Sequence, residues 1–216
     1  MLDNLRSLST WLFTPVARLL LRLGVTPDAV TVAGTVGTVV GALWLFPTGH
    51  LVAGAWTIGA LVLADAIDGI MARTSGRSGP WGAFLDSTLD RVADAAIFGG
   101  LLLFFLREGS DAGVVVALAC LALGGVVPYA RARAEGLGMT AKVGVAERAD
   151  RLAIALVATV VVGYGAPLDV LVWTLGVLAV LSGVTVVQRM ATVHRQARGL
   201  AAAASDGPAA SVDEER

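Results

Sequence analysis

The chain has 216 residues, 56% of them hydrophobic and only 15% charged, with a formal net charge of −1. An average soluble domain carries about 25% charged residues, so this composition, with its mean hydropathy of +0.77, excludes an ordinary soluble globular protein. The net charge says nothing about partners until it is mapped onto topology, and no nucleic-acid partner is expected; a single cysteine, Cys120 in an apolar run, excludes an intrachain disulfide.

Taken in chain order, residues 1–24 place Leu5, Leu8, Leu12, Val16, Leu19 and Leu23 at three- and four-residue steps, with Arg6, Ser9, Arg18 and Arg22 off that stripe. The pattern predicts an amphipathic helix lying in the membrane interface and kinked at Pro15. No small-residue cleavage site follows an uninterrupted apolar core, so a signal peptide is not expected. Thr26-Pro27-Asp28 then offers a cap, a proline at the first helical position and an acid in the first turn, the start signals of a helix.

Six stretches follow that can cross a bilayer: Val30–Phe46, Leu51–Ala72, Gly82–Leu106, Gly113–Ala132, Arg148–Val162 and Asp169–Gln188. The expected fold class is therefore all-α integral membrane, with six transmembrane helices in a domain over 25–199 preceded by the interfacial helix. Residues 200–216 lack aromatics and any apolar period, which predicts a disordered tail. Arginines and Lys142 gather before the first stretch, in alternate loops and after the last, whereas the loops near His50, Glu108 and Tyr164–Leu168 carry only Arg107. The positive-inside rule then puts both termini on the cytoplasmic side, in the plasma membrane. Gly37 with Gly41, Gly99, Gly100, Gly124 and Gly125 are expected to serve packing within the bundle.

One segment breaks the apolar pattern. "DAIDGIMARTSGRSGPWGAFLDSTLD" carries Asp65 and Asp68 three apart near the end of the second stretch, and Asp86 and Asp90 four apart near the start of the third. Each spacing sets its pair on one helix face. Joined by a short loop, the two helices are expected to be antiparallel neighbours, so both pairs can point into one space. Charges at membrane depth are functional by default, and an oxygen-only set suits Mg²⁺ or Mn²⁺, ions that keep phosphate oxygens in their shell. Without His or Cys in the segment, zinc is disfavoured. Gly69 and Gly82 clear space beside the carboxylates, the glycine-rich loop can offer backbone N–H groups to phosphate, and Arg73 is a fixed cation.

The segment, written D-x2-D-G-x2-A-R-x8-G-x3-D-x3-D, resembles the signature of the CDP-alcohol phosphotransferases at Asp65, Asp68, Gly69, Ala72, Arg73, Gly82, Asp86 and Asp90. The resemblance implies transfer of a phosphoalcohol group from a CDP-linked donor such as CDP-diacylglycerol, with release of CMP. It further implies two divalent ions held by Asp65, Asp68 and Asp86, completed by Asp90, which also acts as the catalytic base. "VTPDAVT", "ARAEG" at Ala132–Gly136 and "VQRM" at Val187–Met190 are similar to the actinobacterial phosphatidylinositol phosphate synthases. In that group the acceptor is inositol 1-phosphate. The likeness assigns the donor to Asp28, Thr31, Gly69, Arg73 and Gly82, the acceptor phosphate to Arg131, Arg133, Arg151 and Arg189, and implies a homodimer. The chain departs from the group at Pro128, where a serine is expected, and at Arg131, where lysine is common. Two alternatives stay open on the residues alone: a phosphatidylglycerophosphate synthase using glycerol 3-phosphate, and a divalent-cation or proton transporter.

Overall fold

The computed structural model describes residues 13–76, 79–145 and 148–205. Among these there is no strand. The helices are α1 (13–22), α2 (Pro27–Leu45), α3 (Leu51–Thr74), α4 (Pro80–Glu108), α5 (Asp111–Glu135), α6 (Arg148–Gly163) and α7 (Leu168–Ser205). Each of the six expected apolar stretches coincides with one of α2–α7. The start of α2 is built as its sequence predicts: the Thr26 side chain accepts a hydrogen bond from the Ala29 N–H at 3.2 Å, and Pro27 opens the first turn. Ser110 caps α5 in the same way through the Gly113 N–H, and α4 stops at Gly109, whose φ of 70° suits a residue without a Cβ.

Among the described residues, four helices are long and apolar enough to cross a bilayer: α2, α3, α5 and α7. Of α2–α7 the other two fall short for separate reasons. α4 carries Asp86, Asp90, Arg91 and Asp94 along its first half, and α6 has only 16 residues, about 24 Å at the helical rise. α4 is nevertheless well enclosed, with Ile97, Phe98, Leu101 and Phe105 fully buried in the core cluster that also holds Ile58 of α3, Leu152 of α6 and Leu171 of α7.

Two expectations change. α3 and α4, joined by a short loop, are not close neighbours: each packs on α2, while α3 also meets α6 and α4 meets α5. The polar, glycine-rich ends of α3 and α4 are therefore held apart with a gap between them. The tail boundary at 199 also moves, because α7 runs on to Ser205 through Ala201–Ala204, the residue type of highest helix propensity; residues 206–216 lie outside the described residues. For the N-terminal helix, Leu5, Leu8 and Leu12 likewise lie outside them, while Pro15 lies in the first turn of α1. In the described part, Phe13, Ala17, Leu20 and Leu21 pack on Ile67, Ile70 and Met71 of α3, whereas Val16, Leu19 and Leu23 of the expected stripe face outward.

Glycine sets the closeness of the helices. Gly37 and Gly41 of α2 face Leu61 and Ile58 of α3, so this pair serves packing inside the bundle. Gly100 of α4 abuts the Ala42 carbonyl of α2, where a Cβ would run into backbone, whereas a Cβ at Gly99 would meet only the methyl groups of Leu121 and Leu43 at 3.8 and 3.9 Å. Gly100→Ala should therefore lower stability by about 1–3 kcal/mol, the usual cost of overpacking, and Gly99→Ala should be neutral or slightly stabilising. Thermal unfolding of the detergent-solubilised variants checks the contrast.

Candidate active site

Asp65 and Asp68 lie one turn apart near the end of α3, and Asp86 lies in the second turn of α4. One carboxylate oxygen from each falls within 4.8 Å of the others. Asp68 is buried, Asp65 half-buried and Asp86 exposed, so the trio runs from the bundle interior to an open mouth. Thr31 of α2 donates its hydroxyl to Asp68 through a short contact, fixing the innermost carboxylate. Three oxygen donors at this range, with no His or Cys among them, fit a hard divalent cation.

Asp90 is held differently from the other three. Its Oδ1 lies 2.8 Å from Arg148 Nη1, and its Oδ2 lies 3.3 Å from Arg91 Nη2. The structure thus converges three of the four expected metal ligands and pairs the fourth with arginine.

Two chambers open around these groups. The first, of about 590 Å³, is lined by Asp65, Asp68 and Asp86 together with Asp28, Thr31, Gly69, Arg73 and Gly82. Every residue expected to meet the donor is in that wall. A Cβ at Gly82 would meet nothing within 4 Å, and at Gly69 it would touch the Arg73 guanidinium at 3.4 Å, so both positions leave room beside the carboxylates. Trp81, which the sequence reading passed over, donates Nε1–H to Asp28 Oδ2 at 3.1 Å and lies against Phe84. It ties the first turn of α4 to the first turn of α2 across the chamber's rim.

The second chamber, of about 580 Å³, is lined by Asp90, Arg91, Arg131, Lys142, Arg148, Arg151 and Arg189, with Val127, Pro128, Val143 and Gly144 completing the wall. Three of the four arginines expected at the acceptor are there. Arg133 is not: it is exposed outside the lining, because positions two apart on a helix point about 200° apart and only the face carrying Arg131 turns toward the chamber. The inward arginines are already anchored. Arg189 donates Nε–H to the Val143 carbonyl at 3.0 Å and Nη1–H to the Val127 carbonyl, Arg131 Nε–H reaches Glu135 at 2.9 Å, and Arg151 Nη2–H reaches Asp94 at 3.1 Å. The Nε atoms of Arg91 and Arg151 are buried without a hydrogen-bond partner. Unpaired buried donors are costly, and two of them beside one basic chamber suit an anionic ligand.

Sequence reading missed Asp94, Arg91 and Lys142 as parts of the site. Asp94 had a visible signal, since Asp86, Asp90 and Asp94 continue one four-residue spacing. Arg148 lines both chambers, a position that only the fold reveals.

The chain is similar to proteins already known. The CDP-alcohol phosphatidyltransferase family model matches residues 24–145. The phosphatidylinositol phosphate synthase of Streptomyces avermitilis is 46% identical over 202 residues, covering 88% of this chain and 81% of that protein. The crystal structure of the Mycobacterium tuberculosis phosphatidylinositol phosphate synthase with CDP-DAG bound aligns with a TM-score of 0.81 at 39% identity, covering 94% of this chain and 98% of that one. The same M. tuberculosis enzyme in complex with manganese and citrate aligns at 0.80 and 38%, over 94% and 93% of the two chains. With half its length matched by the family and a relative of this identity over most of both chains, this protein belongs to the CDP-alcohol phosphatidyltransferase family.

Proposed function

We propose that this protein transfers the phosphatidyl group from CDP-diacylglycerol to inositol 1-phosphate, forming phosphatidylinositol phosphate and CMP. The observation that carries the reading is the adjacency of the two chambers. One holds the carboxylate trio with the signature's glycines and Arg73; the other is walled by arginine and lysine and contains Asp90. A donor with two phosphates suits the first, and a phosphomonoester suits the second, since guanidinium forks bind phosphate oxygens in bidentate fashion. The CDP-DAG bound to the M. tuberculosis enzyme and the name shared by the relatives support the same assignment.

Asp65, Asp68 and Asp86 would hold Mg²⁺, or Mn²⁺ in its place, with Asp90 completing a site for two ions. Divalent cations there would offset the carboxylate charge, bind the donor's phosphates and stabilise the charge that develops as CMP leaves. The protein's own groups do the rest. Asp28, Thr31, Gly69, Arg73 and Gly82 seat the nucleotide and pyrophosphate, while Arg131, Arg151 and Arg189 seat the acceptor phosphate. Asp90 takes the proton from the acceptor hydroxyl. The freed oxygen forms a bond to the phosphorus that carries diacylglycerol, and the bond from that phosphorus to CMP breaks, the electron pair leaving with CMP.

The bilayer placement follows the same logic. Trp44, Trp56, Tyr164 and Trp173 are all exposed and all lie at the end of the bundle away from the carboxylates, as interfacial aromatics do. With the basic residues at the other end, this supports α2–α7 as six spans, both termini and both chambers cytoplasmic, and the N-terminal helix in the interface of the plasma membrane. A site at one end of the bundle also disfavours ion transport, whose sites lie near the midplane. The family resemblance supports a homodimer.

Three outcomes test this. CMP release from CDP-diacylglycerol and inositol 1-phosphate should vanish with a chelator and return with Mg²⁺ or Mn²⁺, and Asp65→Ala, Asp68→Ala and Asp86→Ala should each be nearly inactive; activity surviving full chelation would sink the metal-assisted mechanism. Asp90→Asn should still bind CDP-diacylglycerol while turnover falls roughly a hundred- to ten-thousandfold, the usual loss with a general base. Arg131→Ala, Arg151→Ala and Arg189→Ala should raise the Michaelis constant for inositol 1-phosphate roughly ten- to hundredfold, as loss of a charged hydrogen bond does, with that for CDP-diacylglycerol nearly unchanged. Arg133→Ala should have the smallest effect of the four, and preference for glycerol 3-phosphate in the same assay would change the lipid assigned.

A further inference from the structure

Asp94 is a carboxylate at 2% exposure in the middle of a long apolar helix, outside both chambers' linings, and the mechanism above does not use it. Its two oxygens are both engaged by α6. Oδ1 accepts from Arg148 Nε at 2.9 Å, and Oδ2 accepts from Arg151 Nη2 at 3.1 Å. The two arginines are three residues apart, so they present to Asp94 from one helix face. Arg148 then reaches outward: its Nη1 lies 2.8 Å from Asp90 Oδ1. One guanidinium therefore bridges a buried carboxylate and the carboxylate expected to act as base, and the same side chain borders both chambers.

We propose that Asp94 is a positioning residue that fixes Arg148 at the seam between the two chambers, and that Arg148 in turn holds the Asp90 carboxylate in line with the acceptor hydroxyl. This rests on the reading of Asp90 as the base. The physical case has three parts. A carboxylate this deeply buried gives up its partners at high cost, so Asp94 is a firm anchor. The guanidinium is a planar fork with fixed angles between its N–H groups, so anchoring Nε dictates where Nη1 points. Asp90 and Asp94 are one turn apart on α4, the separation that a single fork can span. Lysine at 148, a point charge with rotatable donors, would satisfy one carboxylate and not set the direction of the other.

The test is a double-mutant cycle on the full-length protein in detergent. Turnover is measured by CMP release with CDP-diacylglycerol and inositol 1-phosphate, and normalised to the number of CDP-diacylglycerol binding sites so that misfolded protein does not count. Arg148→Lys and Asp94→Asn should each lower kcat roughly 10- to 100-fold, the range for losing a charge-assisted hydrogen bond, with little change in the donor's KM. Because Asp94 acts through Arg148, the double variant should be no slower than Arg148→Lys alone; contacting residues show such coupling, whereas independent ones multiply. Losses that multiply would show that Asp94 serves only to bury Arg151, and would overturn the proposal. If Asp94→Asn does not yield folded protein, Arg148→Lys decides alone, since that side chain is 25% exposed and not part of the core: wild-type kcat in that variant overturns the proposal, and a lowered kcat at unchanged donor KM supports it. A wild-type protein releasing no CMP would instead overturn the functional reading itself.

Discussion

Carboxylates crowded at the end of an apolar bundle repel one another, and the architecture around them answers that repulsion. Two unit charges 4 Å apart in surroundings of effective dielectric about 20 interact with roughly 4 kcal/mol, and Asp65, Asp68 and Asp86 bring oxygens within 4.8 Å. The protein relieves part of this by itself: Thr31 donates to Asp68, and Asp90 is drawn off by Arg148 and Arg91. What remains is a trio that, among the described residues, has no guanidinium paired with it and is open on one side to a chamber with Arg73 in its wall. A site of this kind suits a positive charge.

The space in which this happens depends on α2. Had α3 and α4 packed directly, as a short connection suggests, the carboxylates would have faced a closed helix seam. Instead α2 takes both as partners, held close by Gly37 and Gly41 against α3 and by the contact of Gly100 with the Ala42 carbonyl of α2. Small residues allow this approach in membranes, where packing and not hydrophobicity drives helix association. The same helix contributes Asp28 and Thr31 to the chamber it opens. Packing and binding therefore converge on one element, and a change in how α2 seats its neighbours would alter the width of the donor chamber.

The donor half of the site was legible in the sequence because its information is local. Asp65 and Asp68, Asp86 and Asp90, and the glycines between them lie in 26 consecutive residues, and helical periodicity alone says which share a face. Thr26-Pro27-Asp28 was legible for the same reason. The second chamber was legible only in part. Arg131, Arg151 and Arg189 could be gathered at one face, but what orients them could not be read, because its contacts join residues far apart in the chain: Asp94 meets Arg148 and Arg151 across 54 and 57 positions, and Arg189 meets Val127 across 62. A basic residue at a helix end satisfies the positive-inside rule whichever way it points, so Arg133, which points out, and Arg131, which points in, read alike. The neighbours α3 and α4 were misread on similar grounds, since loop length constrains where a helix starts and not which partner covers its flank.

The preference for arginine on the acceptor side has a physical reason that goes beyond charge. Several of these side chains are tied to the protein by part of the guanidinium: Arg189 through Nε and Nη1 to two carbonyls, Arg131 through Nε to Glu135, Arg151 through Nη2 to Asp94, and Arg148 through Nε and Nη1 to two carboxylates. A guanidinium has five N–H groups in a rigid plane, so one that is anchored in this way still has donors to offer, in directions its anchors have fixed. Lysine has a single nitrogen, and anchoring it rotates or spends the same three donors that a ligand needs. Freezing a long side chain only on binding would also cost conformational entropy, up to about 2 kcal/mol for each arginine or lysine. Arginines already ordered by Val127, Val143, Glu135 and Asp94 have met much of that cost during folding. On the proposed reading, the anchors then serve the binding site by ordering the arginines that line it.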